Sequence, residues 1–188
     1  WSSVDGLTWV AEVLEAPWEA RGYHASVVHN AKIYVIGGYG SANLNDVWAS
    51  SDGGATWEEV AASAAWIARH GLQAVSNDND LYILGGFDST IDYNDVWISN
   101  DGGANWVTIT TSAGWSARAH FSSLVYDSKI YIIGGESDGT LMSDVWFSDL
   151  SVSMPDAHSS HTHSGLSAAI STALVGGHIG FLSYVVIN

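Results

Sequence analysis

The 188-residue chain contains no cysteine. Disulfides, a thiol nucleophile and cysteine metal sites are therefore excluded. This leaves the compartment open, because an oxidising location does not require disulfides. Basic residues are scarce: 5 Lys and Arg stand against 20 Asp and Glu, for a formal net charge of −15. Phosphate binding needs clustered Lys and Arg, so nucleic acid is not an expected partner. Anionic membrane surfaces are disfavoured for the same reason. An acidic surface keeps a protein soluble in a salty or extracellular setting and attracts cations or basic partners. No Asn-x-Ser/Thr acceptor and no signal peptide is visible. The chain opens on Trp1 in mid-pattern, which predicts a processed chain or a fragment. The expected setting is extracytoplasmic or organelle-lumenal.

What is present is apolar and aromatic. Hydrophobic residues make up 47% and aromatics 12%, enough for a real core. The ten Trp are distributed by a repeat. "WEARGYHASVVHNAKIYVIGGYG" from Trp18, "WIARHGLQAVSNDNDLYILGGFD" from Trp66 and "WSARAHFSSLVYDSKIYIIGGES" from Trp115 align without a gap. Each has Trp-x-Ala-Arg, with Arg21, Arg69 and Arg118 in register. Each then has a Gly pair: Gly37-Gly38, Gly85-Gly86 and Gly134-Gly135. Asp-Val-Trp follows at 46–48, 95–97 and 144–146, and the period is 48 to 49 residues. A Trp that recurs at a fixed repeat position is a packing device first.

Each period reads as four short strands: "SVV", "KIYVIGG", "DVWAS" and "ATWEEV" in the first copy. The second is a nearly continuous apolar run, as expected where both faces are buried. Between strands three and four the phrases "SSDGGATW" and "SNDGGANW" supply a hairpin, with Gly for positive φ and Asp to close on its own backbone. Asp52, Gly54 and Trp57, with Asp101, Gly103 and Trp106, are thus expected to be structural. "SVDGLTW" at 3–9 is the same phrase with one residue missing.

This Arg, Tyr, Gly-Gly and Trp spacing resembles the kelch repeat, four strands per blade of a β-propeller. The Ser-x-Asp-x-Gly-x-Thr-Trp phrase resembles the Asp-box of sialidase-type propellers. The resemblance implies an all-β fold of about three to four four-stranded blades, and structural roles for the Gly pairs, the Trp and the hairpin residues. It divides the chain into strands three and four of one blade at 1–13, blades at 14–63 and 64–112, and a blade lacking the Asp-box at 113–150. Closure must come from the tail, from further sequence or from a second chain.

A polar linker at 151–164 carries His158, His161 and His163, whose spacing could hold a metal ion. Residues 165–187 contain no Asp, Glu, Lys or Arg. One reading makes them a transmembrane helix, since about 20 apolar residues span a bilayer. The other makes "STALVGG" a decayed copy of "KIYVIGG", with His163 at the place of His24.

Chemistry is thin. Galactose-oxidase-like copper chemistry uses a cysteine-crosslinked tyrosine in the resembled family, and there is no cysteine. Sialidases of the Asp-box class use three Arg and a Tyr–Glu pair. Here the three Arg share one repeat position, which points to a structural role at each blade's entry. No nucleophile or base stands out from the repeat, and no cofactor is expected. The loops after Gly-Gly differ between copies and supply the binding candidates Tyr39, Phe87, Asp88, Tyr93, Glu136 and Asp138. The expected function is a non-enzymatic interaction or scaffold module, an accessory subunit of a larger complex, which is a membrane complex if the tail spans. A glycan-binding or glycan-hydrolysing propeller is the alternative.

Overall fold

The computed structural model describes residues 1–150. Both readings of 165–187 and the His158, His161 and His163 cluster lie outside the described residues. Eleven strands are formed: β1 (Ala25–His29), β2 (Lys32–Tyr39), β3 (Asn43–Ser50), β4 (Glu58–Ala61), β5 (Gln73–Asn77), β6 (Asp80–Phe87), β7 (Asp92–Ser99), β8 (Val107–Thr110), β9 (Ser122–Tyr126), β10 (Lys129–Ser137) and β11 (Thr140–Asp149). They form antiparallel sheets in the orders β1-β2-β3-β4, β5-β6-β7-β8 and β9-β10-β11. Neighbouring sheets approach most closely through β1, β5 and β9. Residues 1–13 form a single bridge, Ser2 with Val10, around the Ser3–Asp5 turn. Among the described residues there is no helix, and none long and apolar enough to cross a membrane.

The tight β1–β2 turn places Asn30 and Ala31 in left-handed φ, 47° and 60°. Paired left-handed residues give the turn whose twist matches a two-residue hairpin. The Gly pair has a different task. Both glycines of each pair have positive φ, and the β2–β3 register shifts there, between Ile36 and Gly38. The same bulge recurs at Gly86 and Gly135. A Cβ on Gly38 would lie 2.8 Å from the Gly22 oxygen and from the His24 Cβ. Only Gly allows the strand to turn this close to the incoming chain.

The hairpin after β3 is a closed hydrogen-bond set. Gly54 N donates to Ser50 Oγ at 2.8 Å, Thr56 N to Asp52 at 2.9 Å, and Trp57 Nε1 to the Gly54 oxygen at 2.9 Å. Ser99, Asp101, Asn105, Gly103 and Trp106 repeat it. Trp57 thus completes the turn, and β4 starts at Glu58, three residues later than the "ATWEEV" run suggests.

Two cores lie between sheets. In the first, Tyr34, Ile36 and Val47 of one sheet meet Trp66, Leu72, Leu81, Ile83 and Trp106 of the next. In the second, Val75, Tyr82 and Leu84 meet Trp115, Phe121, Ile130 and Ile132. Burying a large apolar side chain is worth ~1.5–3 kcal/mol, so each sheet is stabilised mainly by its neighbour.

Candidate functional site: the mouth between the blades

Each blade is pinned by its arginine. Arg69 is 1% exposed. Its Nη1 and Nη2 donate to the two oxygens of Asp95 at 2.5 and 3.0 Å. Nη1 also donates to the Gly85 oxygen and Nε to the Ile67 oxygen. Arg21 holds Asp46 and the Gly37 oxygen in the same way, and Arg118 holds Asp144 and the Gly134 oxygen. The Asp-Val-Trp motif has its explanation here. Each Asp also accepts from the Trp two residues on, Trp48, Trp97 or Trp146, at 2.7–2.8 Å. Asp144 is held down at about 2, chiefly by the Arg118 hydrogen bonds. Burial would raise Asp46, but the Arg21 and Trp48 bonds outweigh it and keep it low.

The backbone of the same arginine joins blade to blade. Arg69 N donates to the Leu44 oxygen, and Gly38 N donates to the Arg69 oxygen, both at 3.0 Å. Arg118 repeats this with Tyr93 and Gly86. All three arginines are buried and paired with an aspartate, and none is free to hold a substrate carboxylate.

The residue after each arginine bridges to the residue after each Gly pair: Gly22 with Tyr39, His70 with Phe87, Ala119 with Glu136. This brings three of the loop candidates to one end of the blades. Tyr39 and Phe87 flank the His70 ring at 5.4 and 5.5 Å, and Glu136 Oε1 lies 2.8 Å from His120 Nδ1. The remaining candidates brace loops. Asp88 accepts from Thr90 N, Ile91 N and the Tyr93 hydroxyl, all at 2.8 Å. The Tyr93 ring stacks on Arg69 at 3.9 Å, and its phenol is pushed up to about 12, by burial and then by Asp88. Asp138 sits in the β10–β11 turn with φ 48°, and its N–H donates to Asp92 at 3.3 Å.

Sequence reasoning missed the centre of the mouth. Tyr23, His70 and His120 form a ring triad with centroid separations of 5.7, 5.3 and 5.8 Å. His70 Nδ1 is 2.7 Å from Asn43 Oδ1. The imidazole of His70 is pushed down by burial and then by His120. Tyr23, His70, His120, Glu136, Leu141 and Met142 line an open depression of about 610 Å³. A signal was available: these positions vary between copies although they adjoin an invariant arginine. Among the described residues no group of three His, Cys, Asp or Glu side chains gathers to hold a metal ion.

A family model described as the KLHDC2/KLHL20/DRC7 Kelch-repeats domain matches residues 3–177. The chain belongs to the kelch-repeat family. No curated protein matches the chain at a significant level. Kelch repeats generally mediate protein–protein interaction and are typically non-enzymatic. In this kelch chain the repeated arginines and aspartates are consumed in the frame, and the unrepeated Tyr23, His70, His120 and Glu136 line the mouth.

Proposed function

We infer that this kelch domain is a non-enzymatic binding module that takes a protein segment at the mouth formed by Tyr23, Tyr39, His70, Phe87 and His120. The observation that carries it is the bridge of each post-arginine residue to a post-Gly-Gly residue. It sets an aromatic and imidazole surface on a frame whose arginines and Asp-Val-Trp aspartates are already paired. Glu136 lines the mouth, and the chain is strongly acidic. A segment that combines an apolar or aromatic anchor with basic flanks complements both features.

The Ser-x-Asp hairpins support the further reading of these blades as Asp-box-like. The glycan-hydrolysing alternative needs an arginine open to a substrate carboxylate, whereas Arg21, Arg69 and Arg118 are buried and paired. An accessory role in a membrane complex rests on residues 165–187. The family match runs through the first half of that stretch, which supports the decayed-blade reading there.

The test is quantitative affinity capture with the whole chain against the double variant His70→Ala/Phe87→Ala and the outer-strand control Glu59→Gln. Partners lost with the double variant and kept with the control support the reading. Partners insensitive to the mouth, or turnover of sialosides by the chain, overturn it.

A further inference from the structure

We propose that the joint between the first and second blades is acid-labile: falling pH loosens it through two histidines, His29 and His70, while the joint between the second and third blades holds. The joint behaves so whatever the mouth binds.

The two histidines latch opposite ends of one joint. At the end away from the mouth, His29 closes β1 and is 2% exposed. Its Nδ1 lies 2.8 Å from Ser76 Oγ of β5, in the second blade. Its Nε2 lies 3.0 Å from Asn30 Nδ2. An amide nitrogen only donates, so Nε2 accepts and the ring proton sits on Nδ1, donated to Ser76. At the mouth end, His70 Nδ1 lies 2.7 Å from Asn43 Oδ1 of the first blade. The Asn43 amide nitrogen donates to Ser89 Oγ at 3.0 Å, so its oxygen is the group that accepts from His70. Both latches thus use a neutral ring with its proton on Nδ1.

A second proton has a poor place in either ring. On His29 it would put a charge inside the packed joint, beside the Tyr34 ring, and turn Nε2 into a donor facing the Asn30 amide nitrogen. Asp80, at the start of β6, favours that charge, whereas Lys32, the register partner in β2, carries the same sign. Burial outweighs Asp80 and holds the imidazole below its ordinary value. On His70 the charge would sit among the Tyr23, Tyr39 and Phe87 rings, next to His120. Burial and then His120 hold it low. The neighbouring Arg69 is paired with Asp95, and the Glu136 carboxylate is bonded to His120. Both rings therefore take the proton more readily in the open joint than in the closed one. The closed joint is favoured in full above about pH 6.5, the ordinary histidine value, and loses ground as pH falls below it.

Among the described residues the second joint has neither latch. The strand registers put Asn77 at the place of His29 and Val125 at that of Ser76. Ala119 follows Arg118 as His70 follows Arg69. Asp92 stands at the place of Asn43 and accepts from Asp138 N at 3.3 Å. That latch rests on a carboxylate and a backbone amide, not on an imidazole. His120 gives its Nδ1 to Glu136 of its own blade. Tyr39 stands on the first blade and His70 on the second, so loosening the first joint also parts the mouth. That last consequence alone rests on the binding reading of the mouth.

Amide exchange of the whole chain, resolved residue by residue by NMR and corrected for intrinsic rates, tests this. Gly38, Arg69 and Gly71 donate across the first joint, and Gly86, Arg118 and His120 across the second. From pH ~7.5 to ~5 the protection of the first set should fall about tenfold and that of the second less than about threefold. The double variant His29→Asn/His70→Asn keeps an amide donor in place of each Nδ1–H and cannot titrate, so it should remove the acid loss. It retains His24 of the first blade, and an acid loss that survives in it overturns the proposal. Equal loss at both joints, or no loss at either, overturns it as well. Ring titration of the unaltered chain needs no variant: both rings should show the Nδ1–H form at neutral pH, and midpoints at or above the ordinary 6.5 for both would refute the mechanism.

Discussion

Replacing the blade arginines by Met should destabilise the protein in an order set by the carboxylate left behind. The three pairs are chemically identical and differ in solvent access. The Asp side chains are 9%, 14% and 41% exposed for Asp95, Asp46 and Asp144. Met keeps most of the arginine stem's packing and removes the charge. Arg69→Met then leaves a buried carboxylate with only Trp97 Nε1, and leaves the Gly85 oxygen without its donor. Breaking a buried pair from one side costs ~3–5 kcal/mol. Arg118→Met leaves Asp144 partly hydrated, so its cost falls to ~1–3 kcal/mol, nearer that of a lost charged hydrogen bond. Arg21→Met belongs between them, close to Arg69→Met. Urea unfolding followed by tryptophan fluorescence reads the series, with the slope checked for constancy. Equal losses at Arg69 and Arg118, or a larger loss at Arg118, would refute the reasoning, because burial of the orphaned carboxylate would not then be the controlling quantity.

Gly86→Ala should destabilise by ~2–3 kcal/mol, because φ is +105° and the new Cβ would lie 3.0 Å from the His70 oxygen and the Leu72 Cα. Gly53→Ala, with nothing within 4 Å, should show only the backbone strain, ~1 kcal/mol; chemical denaturation separates the two. Acid should unfold the protein through its aspartates. The Asp144 carboxyl is held at about 2 in the fold against an ordinary value of ~3.9. Its contribution is therefore complete above pH ~4 and fades as pH falls toward ~2, so Asp144→Asn should flatten the stability–pH curve in that window. His70, lowered by burial from an ordinary 6.5, acts in the same direction at higher pH: its contribution is complete above that value and declines below it. His70→Asn should flatten the curve between pH 7 and pH 5. Tyr23→Gly should raise stability by ~0.5–1 kcal/mol, since Tyr23 is 66% exposed at φ 55°, while weakening partner capture at the mouth.

The fold was legible because it is written three times. Any single run such as "KIYVIGG" is ambiguous, but three runs in register with Gly pairs and Asp-Val-Trp identify strands two and three of a kelch blade. The register of the three arginines was also legible. Their carboxylate partners, 25 or 26 residues on, were not. Nothing in local spacing pairs Arg69 with Asp95, since the contact exists only once β6 and β7 lie side by side. At the mouth, the loop positions Tyr39, Phe87 and Glu136 were visible as variation after a constant Gly pair. Tyr23, His70 and His120 were hidden because they bridge to those loops outside any strand, where no periodicity marks them. Residues 1–13 form one bridge where two strands were expected. Their hairpin phrase closes its turn locally, through Ser3 and Asp5, and a turn alone does not order the flanking strands without a sheet to extend.

The position two after each arginine shows how repetition and function divide the chain. Tyr23, Gly71 and His120 share left-handed φ of 55°, 62° and 55°, so the frame imposes one backbone conformation on all three. Their backbones link in series: Gly71 N donates to the Tyr23 oxygen and His120 N to the Gly71 oxygen, each at 2.9 Å. Glycine is the residue this conformation favours, yet only one blade uses it. It is also the one place where glycine is required for a second reason, because a Cβ on Gly71 would lie 2.7 Å from the His120 ring. Stability alone would put glycine in all three. The two strained side chains that remain are the ones that line the mouth, and the single glycine makes room for one of them. Strain accepted at a repeat position, against the frame's own preference, supports the proposal that the mouth is a binding surface.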